Sequence, residues 1–377
     1  MATPKLRFKE FDQIWDNLKY KDVLTIKYGK DHKLLNEGVI PVYGTGGIMR
    51  YADQYLHDGE SILIGRKGTI DQPKYVDEKF WTVDTLFYTQ IKDNSIPLFL
   101  YQHALQVNWS GLNEATGVPS LNTTSINNVD IALPPKEEQR KIASFLSAVD
   151  EKINQLTQKH QLLSQYKQGM MQKLFSQQIR FKADDGSEFE EWKKTEIKNI
   201  SKIFDGTHQT PNYVTAGVPF YSVEHVTANN FKNTKYIAED VYLAELKRVQ
   251  LEKGDILLTR IGDIGTCKLI DWDVRASFYV SLALIKVNKQ HSSSFVNQYI
   301  KSNLFQKELH ERTIHVAFPK KINLGEIGLC LIQLPCLEEQ TKIANFLSAI
   351  DQKINVVSGQ IEQAKLWKKG LLQQMFV

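Results

Sequence analysis

The sequence predicts an α+β protein in which two mostly-β domains are held apart by a pair of long antiparallel coiled-coil helices, with an internal pseudo-twofold repeat. Three observations predict this fold. Residues 133–175 recur without a gap as residues 334–376, and 20 of the 43 aligned positions are identical. Both copies have a helical pattern. Each copy follows a segment of short β-branched runs, so the chain alternates domain, helix, domain, helix.

The first domain is predicted to span residues 1–132. It contains four runs rich in β-branched and aromatic residues, VLTIKYG, GVIPVYGTGG, ESILIGRKGTI and WTVDTLFYTQI. Such runs, separated by turn-forming residues, are typical of strands. One longer apolar segment, IPLFLYQHALQ, favours a helix. We therefore expect a mixed but mostly β domain.

The first long helix is predicted within residues 133–177. Pro134 and Pro135 end the preceding strand, because proline disfavours the α region for the residue before it. Glu137 and Glu138 then fall in the first turn, near the positive end of the helix dipole. Beyond them, mainly apolar residues recur at alternating spacings of four and three and form a stripe along the helix. This is the 3.5-residue repeat of a coiled coil. The stripe consists of Ile142, Leu146, Val149, Ile153, Leu156, His160, Leu163, Lys167, Met170 and Leu174.

The second domain is predicted to span residues 178–333. Strand-like runs are GVPFYSVEHV, GDILLTRIGDIG and FYVSLALIKV, and SFVNQYIKSNLFQKELH favours a helix. Residues 41–43 align with 219–221, and residues 62–68 align with 256–262. Little else matches. The two domains are therefore expected to share a scaffold and to differ in their loops, as they would if each recognised a different target.

The second long helix is predicted within residues 334–377, with a stripe of the same phase and length. Lys368 interrupts this stripe where Lys167 interrupts the first. Equal stripes favour a shared coiled coil, although each helix could instead lie on its own domain. If the helices pair, the pairing is antiparallel, because the short link 176–181 cannot run back along a rod of roughly 60 Å. The stripe consists of Ile343, Leu347, Ile350, Ile354, Val357, Ile361, Ala364, Lys368, Leu371 and Met375.

The composition is that of an ordinary globular chain. Its 377 residues, 42% hydrophobic and 10% aromatic, provide enough material for two domain cores. No run of eighteen apolar residues predicts a membrane span, and the N-terminus lacks an apolar signal core, so we expect a cytoplasmic protein without membrane contact. Cys267, Cys330 and Cys336 form no metal-ligand or disulfide pattern. The formal net charge of +4 permits nucleic-acid binding without requiring it.

The sequence lacks the signatures of the common catalytic sites. It contains no GxxxxGK[ST] phosphate loop, no metal-binding pair of histidines on a helix and no Asn/Asp-Pro-Pro-Tyr/Phe motif of amino-methyltransferases. We therefore predict a non-enzymatic protein without a cofactor or a metal. A duplicated chain presents two similar surfaces, which favours recognition of a partner with two matching half-sites.

Loop residues of both domains offer side chains suited to phosphates and base edges. Tyr43 and Thr45 lie on a glycine-rich turn that could approach a phosphate or a methyl donor, although such turns are also ordinary loop features. Arg66 and Arg260 follow aligned strands and could bind guanine or phosphate, or form structural ion pairs. The candidate DNA-binding residues are Tyr43, Thr45, Arg66, Lys67, Trp109, Ser120, His208, Gln209, Tyr221, His225, Arg260, His315, Lys320 and Lys321.

The two long helices also have faces outside the apolar stripe. Tyr166 and Trp367 occupy equivalent positions beside the stripe, where they either pack or contact a partner. Lys152 and Lys353 are a second equivalent pair on these faces. These four residues are the candidate partner-binding residues.

One motif, present twice, resembles a known family. The pattern Leu-Pro-x-x-Glu-Glu-Gln-x-Lys-Ile-Ala occupies residues 133–143 and 334–344, and Phe-Leu-Ser-Ala and Asp-x-Lys-Ile follow in both copies. Each copy follows a polar, variable domain. A chain with this arrangement resembles the specificity subunits of type I restriction–modification systems. The resemblance covers the whole chain.

This resemblance implies a protein that recognises double-stranded DNA and leaves the chemistry to its partners. The two domains would be target-recognition domains, each reading one half of a bipartite, asymmetric site, with the helices as spacers that set the gap. The expected partners are two modification (methyltransferase) subunits and restriction (translocase and nuclease) subunits. The alternatives are a coiled-coil adaptor without a nucleic-acid role and a fused methyltransferase–specificity enzyme.

Overall fold

The computed structural model describes residues 4–376, so residues 1–3 and 377, at the outer ends of the first predicted domain and second predicted helix, lie outside it. The chain divides into two compact units. The first unit comprises the chain up to Lys159 together with the chain from Val357 onward, and the second unit comprises His160–Val356. Each unit therefore contains one β-rich segment and one part of each long helix.

The first unit contains eight strands and the beginning of a 40-residue helix. In chain order its elements are β1 (Asp16–Lys19), α1 (Tyr20–Val23), β2 (Leu24–Tyr28), β3 (Ile40–Gly44), β4 (Gly47–Ala52), β5 (His57–Gly65), β6 (Lys74–Thr82), β7 (Leu86–Ile91), α2 (Pro97–Ala104), a 3-10 turn (Trp109–Leu112), α3 (Thr123–Asn127), β8 (Asp130–Leu133) and α4 (Lys136–Phe175).

Most strands of the first unit form one sheet in the order β2-β7-β5-β6-β3-β4. Neighbouring strands are antiparallel except for β3 and β6, which run parallel. A separate antiparallel pair joins β1 to β8. The main core packs α2 and α4 against this framework and includes Phe87, Phe99, Leu146 and Leu371.

The second unit contains the end of α4 and the start of the last helix. Its other elements, in chain order, are β9 (Lys193–Glu196), α5 (Ile197–Ile200), β10 (Ser201–Asp205), β11 (Tyr213–Val214), β12 (Val218–Tyr221), α6 (Val223–Thr227), β13 (Lys235–Ile237), α7 (Glu239–Leu246), β14 (Ile256–Ile261), β15 (Asp263–Leu269), β16 (Ser277–Phe278), β17 (Leu282–Val287), α8 (Ser293–Ile300), α9 (Asn303–Glu311), α10 (Leu324–Leu329), β18 (Leu331–Leu334) and α11 (Leu337–Met375).

The second unit repeats much of the topology of the first, but its main strands form two four-stranded sheets, β10-β17-β14-β15 and β11-β13-β12-β16, where the first unit has one six-stranded sheet. Its sheet order β10-β17-β14-β15 corresponds to β2-β7-β5-β6, and the pair β9 and β18 corresponds to β1 and β8. Strand β12 runs parallel to β16, as β3 does to β6. The predicted alignment therefore places equivalent residues on equivalent strands, 41–43 on β3 with 219–221 on β12.

Two segments differ from their predicted form. The run SFVNQYIKSNLFQKELH forms two helices, α8 and α9, because Ser302 ends the first and caps the second by accepting a hydrogen bond from the Phe305 amide at 3.4 Å. The run GVPFYSVEHV is a strand only up to Tyr221. Helix α6 follows, with Ser222 at its N-cap.

The long helices have the predicted apolar stripe. Every residue of both predicted stripes is buried or half-buried. The start of α4 and the end of α11 belong to the first unit, whereas the end of α4 and the start of α11 belong to the second. In the first unit, Val149 of α4 shares a core with Leu372 of α11. In the second, Leu174 shares a core with Leu347. This is the arrangement of an antiparallel pair, as predicted.

The lysine that interrupts each stripe forms an ion pair in its own unit. Lys167 Nζ lies 2.7 Å from Asp351, whose other oxygen accepts a 2.8 Å hydrogen bond from Gln298. The first unit has an equivalent lysine–aspartate–glutamine group. In it, the Asp150 carboxylate lies 2.7 Å from Lys368 and accepts a 3.0 Å hydrogen bond from Gln102. Burial lowers the pKa of Lys167, and the hydrogen bond to Asp351 opposes that change.

The second glutamate of each helix start lies in a buried cluster. The Glu138 side chain is fully buried and accepts two 2.7 Å hydrogen bonds from the Arg7 guanidinium and one of 3.2 Å from the Trp15 indole. Arg180 and Trp192 repeat the arrangement around Glu339. These hydrogen bonds raise the pKa of each arginine. The sequence predicted only that both glutamates of each pair lie near the positive end of the helix dipole. It did not predict that the second glutamate is buried against an arginine and a tryptophan.

Candidate nucleic-acid interface

Three loops of the second unit meet at one end of its sheet. They are residues 206–210 after β10, residues 279–281 before β17 and residues 314–322 beyond α9, and we call them the second loop cluster. The end of β10 pairs with the start of β17, and the start of β17 pairs with the end of β14. Lys321 of the third loop bridges to Ile261 at the end of β14, so the sheet and this bridge together bring three loops that are distant in the sequence to one place.

Arg260 on β14 connects these loops. Its guanidinium donates a 2.8 Å hydrogen bond to the Val280 carbonyl and a 3.1 Å hydrogen bond to the Ile322 carbonyl. The Val280 amide in turn donates to the Thr207 carbonyl at 3.0 Å. The Arg260 side chain is buried, and burial lowers the pKa of its guanidinium while Asp205 opposes that change. Arg260 thus holds the loop cluster together from beneath.

The outer surface of the second loop cluster carries polar and basic side chains. His208, Gln209, His315, Lys320 and Lys321 are all exposed. The His208 ring nitrogen Nε2 lies 2.6 Å from an Asp205 oxygen. Amide and imidazole groups can pair with base edges, and ammonium groups can neutralise phosphates. The structure therefore brings five of the predicted DNA-binding residues onto one cluster.

The first unit has a matching arrangement, the first loop cluster, formed by residues 44–47, 66–68, 83–85 and 113–121. The Arg66 amide donates to the Thr85 carbonyl at 2.9 Å, and the Leu121 amide donates to the Arg66 carbonyl at 2.9 Å. Lys67 forms an antiparallel bridge with Ser120. These contacts bring Arg66, Lys67 and Ser120 together.

Two further candidates of the first unit lie close to this cluster. A Cβ atom at Gly68 would lie 3.8 Å from the Thr45 hydroxyl, so Thr45 sits beside the Lys67 loop. Tyr43 is half-buried and its hydroxyl donates a 2.5 Å hydrogen bond to Glu78. Burial, and then that hydrogen bond, raise the pKa of Tyr43. Tyr43 is therefore a neutral hydrogen-bonding group at ordinary pH.

Arg66 differs from its counterpart Arg260 in its surroundings. It is half-buried, its guanidinium donates to the Asp84 carbonyl at 3.1 Å, and it lies 5.5 Å from the centre of the Tyr28 ring. Aligned arginines thus have different roles, because Arg260 is buried between two carbonyls and Arg66 remains partly accessible.

Two glycines that sequence reasoning did not assign a structural role allow these loops to approach the sheet. A Cβ atom at Gly29 would lie 2.0 Å from the Val83 carbonyl oxygen, and one at Gly206 would lie 2.2 Å from the Phe278 carbonyl oxygen. Both glycines directly follow the equivalent strands β2 and β10. A glycine directly after each of two equivalent strands was the feature of the sequence from which this close approach could have been predicted.

The structure buries four predicted DNA-binding side chains, and we remove them from the proposed DNA surface. Trp109 lies in the core of the first unit and its indole donates to the Ala104 carbonyl at 2.9 Å. Tyr221 belongs to a core cluster of the second unit. The His225 ring accepts a hydrogen bond from the Ser222 amide at 2.9 Å inside helix α6. Arg260 is the fourth, and its guanidinium hydrogen-bonds to two backbone carbonyls of the loops.

The candidate partner-binding residues are all exposed on the long helices. Lys152 and Tyr166 lie on α4, and Lys353 and Trp367 lie on α11. The Trp367 side chain remains 55% exposed even though its ring makes an edge contact with Phe145 at 6.2 Å. These side chains thus have surface left for a contact.

Within residues 4–376, none of the helices combines the length and the apolar character that crossing a bilayer requires. In the same part of the chain, His, Cys, Asp and Glu residues nowhere assemble into a group of three that could hold a metal ion.

Comparisons with known proteins place these features in context. A family model described as the type I restriction modification DNA specificity domain matches residues 13–164 and again residues 189–366. The chain is 26% identical over 340 residues to the specificity subunit of the type I restriction enzyme MjaVIII of Methanocaldococcus jannaschii, covering 84% of this chain and 76% of that protein. It is 31% identical over 289 residues to the putative MjaX specificity subunit of the same organism, covering 73% and 65%.

A solved structure has a similar fold. The S subunit of a type I restriction–modification system from M. genitalium superposes with a TM-score of 0.71 at 18% identity, over 100% of this chain and 99% of that one. At this level of identity the likeness concerns the fold. It extends over both β-rich segments and both long helices.

Proposed function

The chain belongs to the type I restriction modification DNA specificity family and is thus a non-catalytic DNA sequence-recognition subunit, and from this premise we propose that each of its two units reads one half of a bipartite, asymmetric target. The observation that carries the proposal is one scaffold, present twice, with different exposed side chains on equivalent loops. A shared scaffold with different loops supports two half-sites of different sequence.

The proposed DNA surface consists of the candidates that keep an accessible side chain. In the first loop cluster these are Tyr43, Thr45, Arg66, Lys67 and Ser120, and in the second they are His208, Gln209, His315, Lys320 and Lys321. Lysine ammonium groups position the protein on phosphates, whereas hydroxyl, amide, imidazole and guanidinium groups read base edges. The first set is rich in hydroxyl groups and the second in imidazole and ammonium groups, which supports an asymmetric target.

We propose the following division of labour along the chain. Residues 1–132 and 178–333 act as the target-recognition domains, and residues 133–177 and 334–377 act as spacers. Because the target is duplex DNA, we place the protein in the cytoplasm. The reaction itself, methylation or cleavage, is assigned to partner subunits of the methyltransferase and restriction type.

Exchanging residues 6–132 for the equivalent segment of another family member should change one half of the methylated motif and leave the other half intact. The donor segment must supply an Arg and a Trp at positions 7 and 15, because both hydrogen-bond to Glu138. The measurement is methylome sequencing of cells that express each chain with modification subunits.

Three other outcomes of the exchange would count against the proposal. A change in both halves of the motif would show that the units do not read separately. Methylation that is independent of this chain would support the adaptor alternative. Methylation by the purified chain without partners would support the fused-enzyme alternative.

We also propose that two modification subunits dock on the exposed helix faces, one beside each unit, and that restriction subunits join this complex. Native mass spectrometry of the wild-type complex should show a two-to-one assembly of modification and specificity subunits. Tyr166→Ala and Trp367→Ala should each favour a one-to-one species, because each variant removes an exposed aromatic anchor. Leu34→Ala removes a still more exposed apolar side chain from a loop and should have no effect. A one-to-one limit for the wild-type chain would contradict the stoichiometry.

A further inference from the structure

The tip of the loop 314–321 carries two fully exposed apolar side chains. Phe318 and Val316 have relative exposures of 104% and 96%. Among the large hydrophobic residues that the structure describes, Phe318 is the most exposed. A single exposed apolar residue is common on protein surfaces, but two at the tip of one loop at the proposed DNA surface are not explained by the fold.

Backbone hydrogen bonds, which we call the brace, fix the two ends of this loop. The Ile314 amide donates to the Lys321 carbonyl at 2.8 Å, and the Gly262 amide donates to the Lys320 carbonyl at 2.8 Å. Lys321 also bridges to Ile261 at the end of β14. Because hydrogen bonds fix both ends of the loop, the backbone that carries Phe318 has less conformational freedom to lose on binding than an unbraced loop would have.

The charges on the loop itself favour one kind of partner. Between Arg312 and Glu326 the chain contains His315, Lys320 and Lys321 and no acidic residue. An apolar tip flanked by ammonium groups complements a ligand with an apolar interior and an anionic backbone. Duplex DNA has this combination, since its stacked bases lie between phosphates, and apolar side chains that enter the minor groove are known to unstack base steps.

The equivalent loop of the first unit has the same brace but a different tip. The Gly68 amide donates to the Pro119 carbonyl at 2.9 Å, as Gly262 donates to Lys320, so Gly117 takes the place of Phe318. Val118 is exposed there, but the loop has no aromatic residue. The two units thus differ at the position that carries the highly exposed Phe318 in the second unit.

We propose that Phe318 is a wedge that enters the half-site read by the second unit and unstacks one base step, with Lys320 and Lys321 on the flanking phosphates. The first unit, with Gly117 at the equivalent position, reads its half-site without such a wedge. This inference rests on the proposed function, since it assumes that the loop clusters face DNA.

The test uses the full chain assembled with modification subunits and duplexes that carry 2-aminopurine at successive steps of the bipartite site. With the wild-type chain, fluorescence should rise at one step of the second half-site, away from the methylated base. Phe318→Ala should abolish that rise and weaken binding by roughly tenfold to a hundredfold, as expected for loss of one base–aromatic stack. Phe318→Trp should retain both signals.

Two controls make the result specific. A probe at the methylated base reports base flipping by the modification subunits and should respond equally with every variant. Val118→Ala removes an exposed apolar side chain from the equivalent loop of the first unit and should leave both half-sites unchanged. Folding is checked by equal yields of assembled complex.

Each of the following outcomes would contradict the proposal that Phe318 enters the DNA. If Phe318→Ala binds DNA as well as the wild-type chain, or if no step outside the methylated position responds, Phe318 does not insert. If Phe318→Ala lowers the yield of complex without changing DNA affinity per complex, the tip is a protein contact. Failure of the proposed function is distinguishable, because the wild-type complex would then show no preference for the bipartite site.

Discussion

Glu339→Ala should destabilise the second unit by about 3–5 kcal/mol, the cost of removing one partner from a buried ion pair. The Glu339 side chain is fully buried and accepts hydrogen bonds from Arg180 at 2.7 and 3.2 Å and from Trp192 at 3.0 Å. Without it, the Arg180 guanidinium, which is only 19% exposed, keeps its charge and loses its carboxylate partner, while it still donates to the carbonyls of Phe189 and Glu190. For a unit of this size, a loss of this magnitude lowers the melting temperature by roughly 10 °C.

The neighbouring glutamate provides a matched control. The Glu338 side chain is 56% exposed and lies 3.6 Å from Lys342, so Glu338→Ala should change the free energy of unfolding by less than about 0.5 kcal/mol. The first unit offers the same comparison between Glu138→Ala and Glu137→Ala. Differential scanning calorimetry of the four variants would measure the effects. If Glu339→Ala proved as mild as Glu338→Ala, the buried cluster would not stabilise the fold.

Arg260→Ala should weaken discrimination at one half-site and spare the other. The substitution leaves the carbonyls of Val280 and Ile322 without their guanidinium donor, at a cost of about 1–3 kcal/mol for each buried acceptor. The loops that carry His208, Lys320 and Lys321 would then lose their common support. Discrimination at the second half-site should fall by up to roughly a hundredfold, which corresponds to less than 3 kcal/mol.

Arg248→Ala is the control for loss of charge. Arg248 is partly exposed and donates to the Asp205 carbonyl at 2.6 Å. Its removal takes the same charge from the same region but leaves the hydrogen bonds from Arg260 to Val280 and Ile322 in place. It should at most weaken binding to all sequences alike and reduce the salt dependence. The measurement is competition binding with duplexes altered in either half-site. Unchanged discrimination by Arg260→Ala would show that the loops hold their shape without it.

The sequence predicted those features that depend on local pattern. The apolar stripe of α4 and α11 follows from a 3.5-residue spacing, and the duplicated helices with their proline stops mark where each begins. The alignment of β3 with β12 and of β5 with β14 follows from short identical or similar runs. These features need no knowledge of which distant segments meet.

The features that depend on distant contacts were not predictable in this way. Lys167 interrupts the stripe, and only the fold shows that Asp351 lies 2.7 Å away. Arg66 and Arg260 align in sequence, but their burial differs because different loops cover them. The exposure of Phe318 could not be inferred either, since a large apolar residue is usually expected to be buried.

The composition of the first unit has a consequence for the order in which the chain is made. Its core includes Leu371, Leu372 and Met375, which emerge from the ribosome about 200 residues after Lys159. At about 5–20 residues per second, that interval is roughly 10–40 s. During it, the newly made apolar face of α4 around Leu146 and Val149 has no partner from α11. The unit that begins first is therefore completed last, and a nascent chain stopped at Val356 would contain every residue of the second unit but leave the first open.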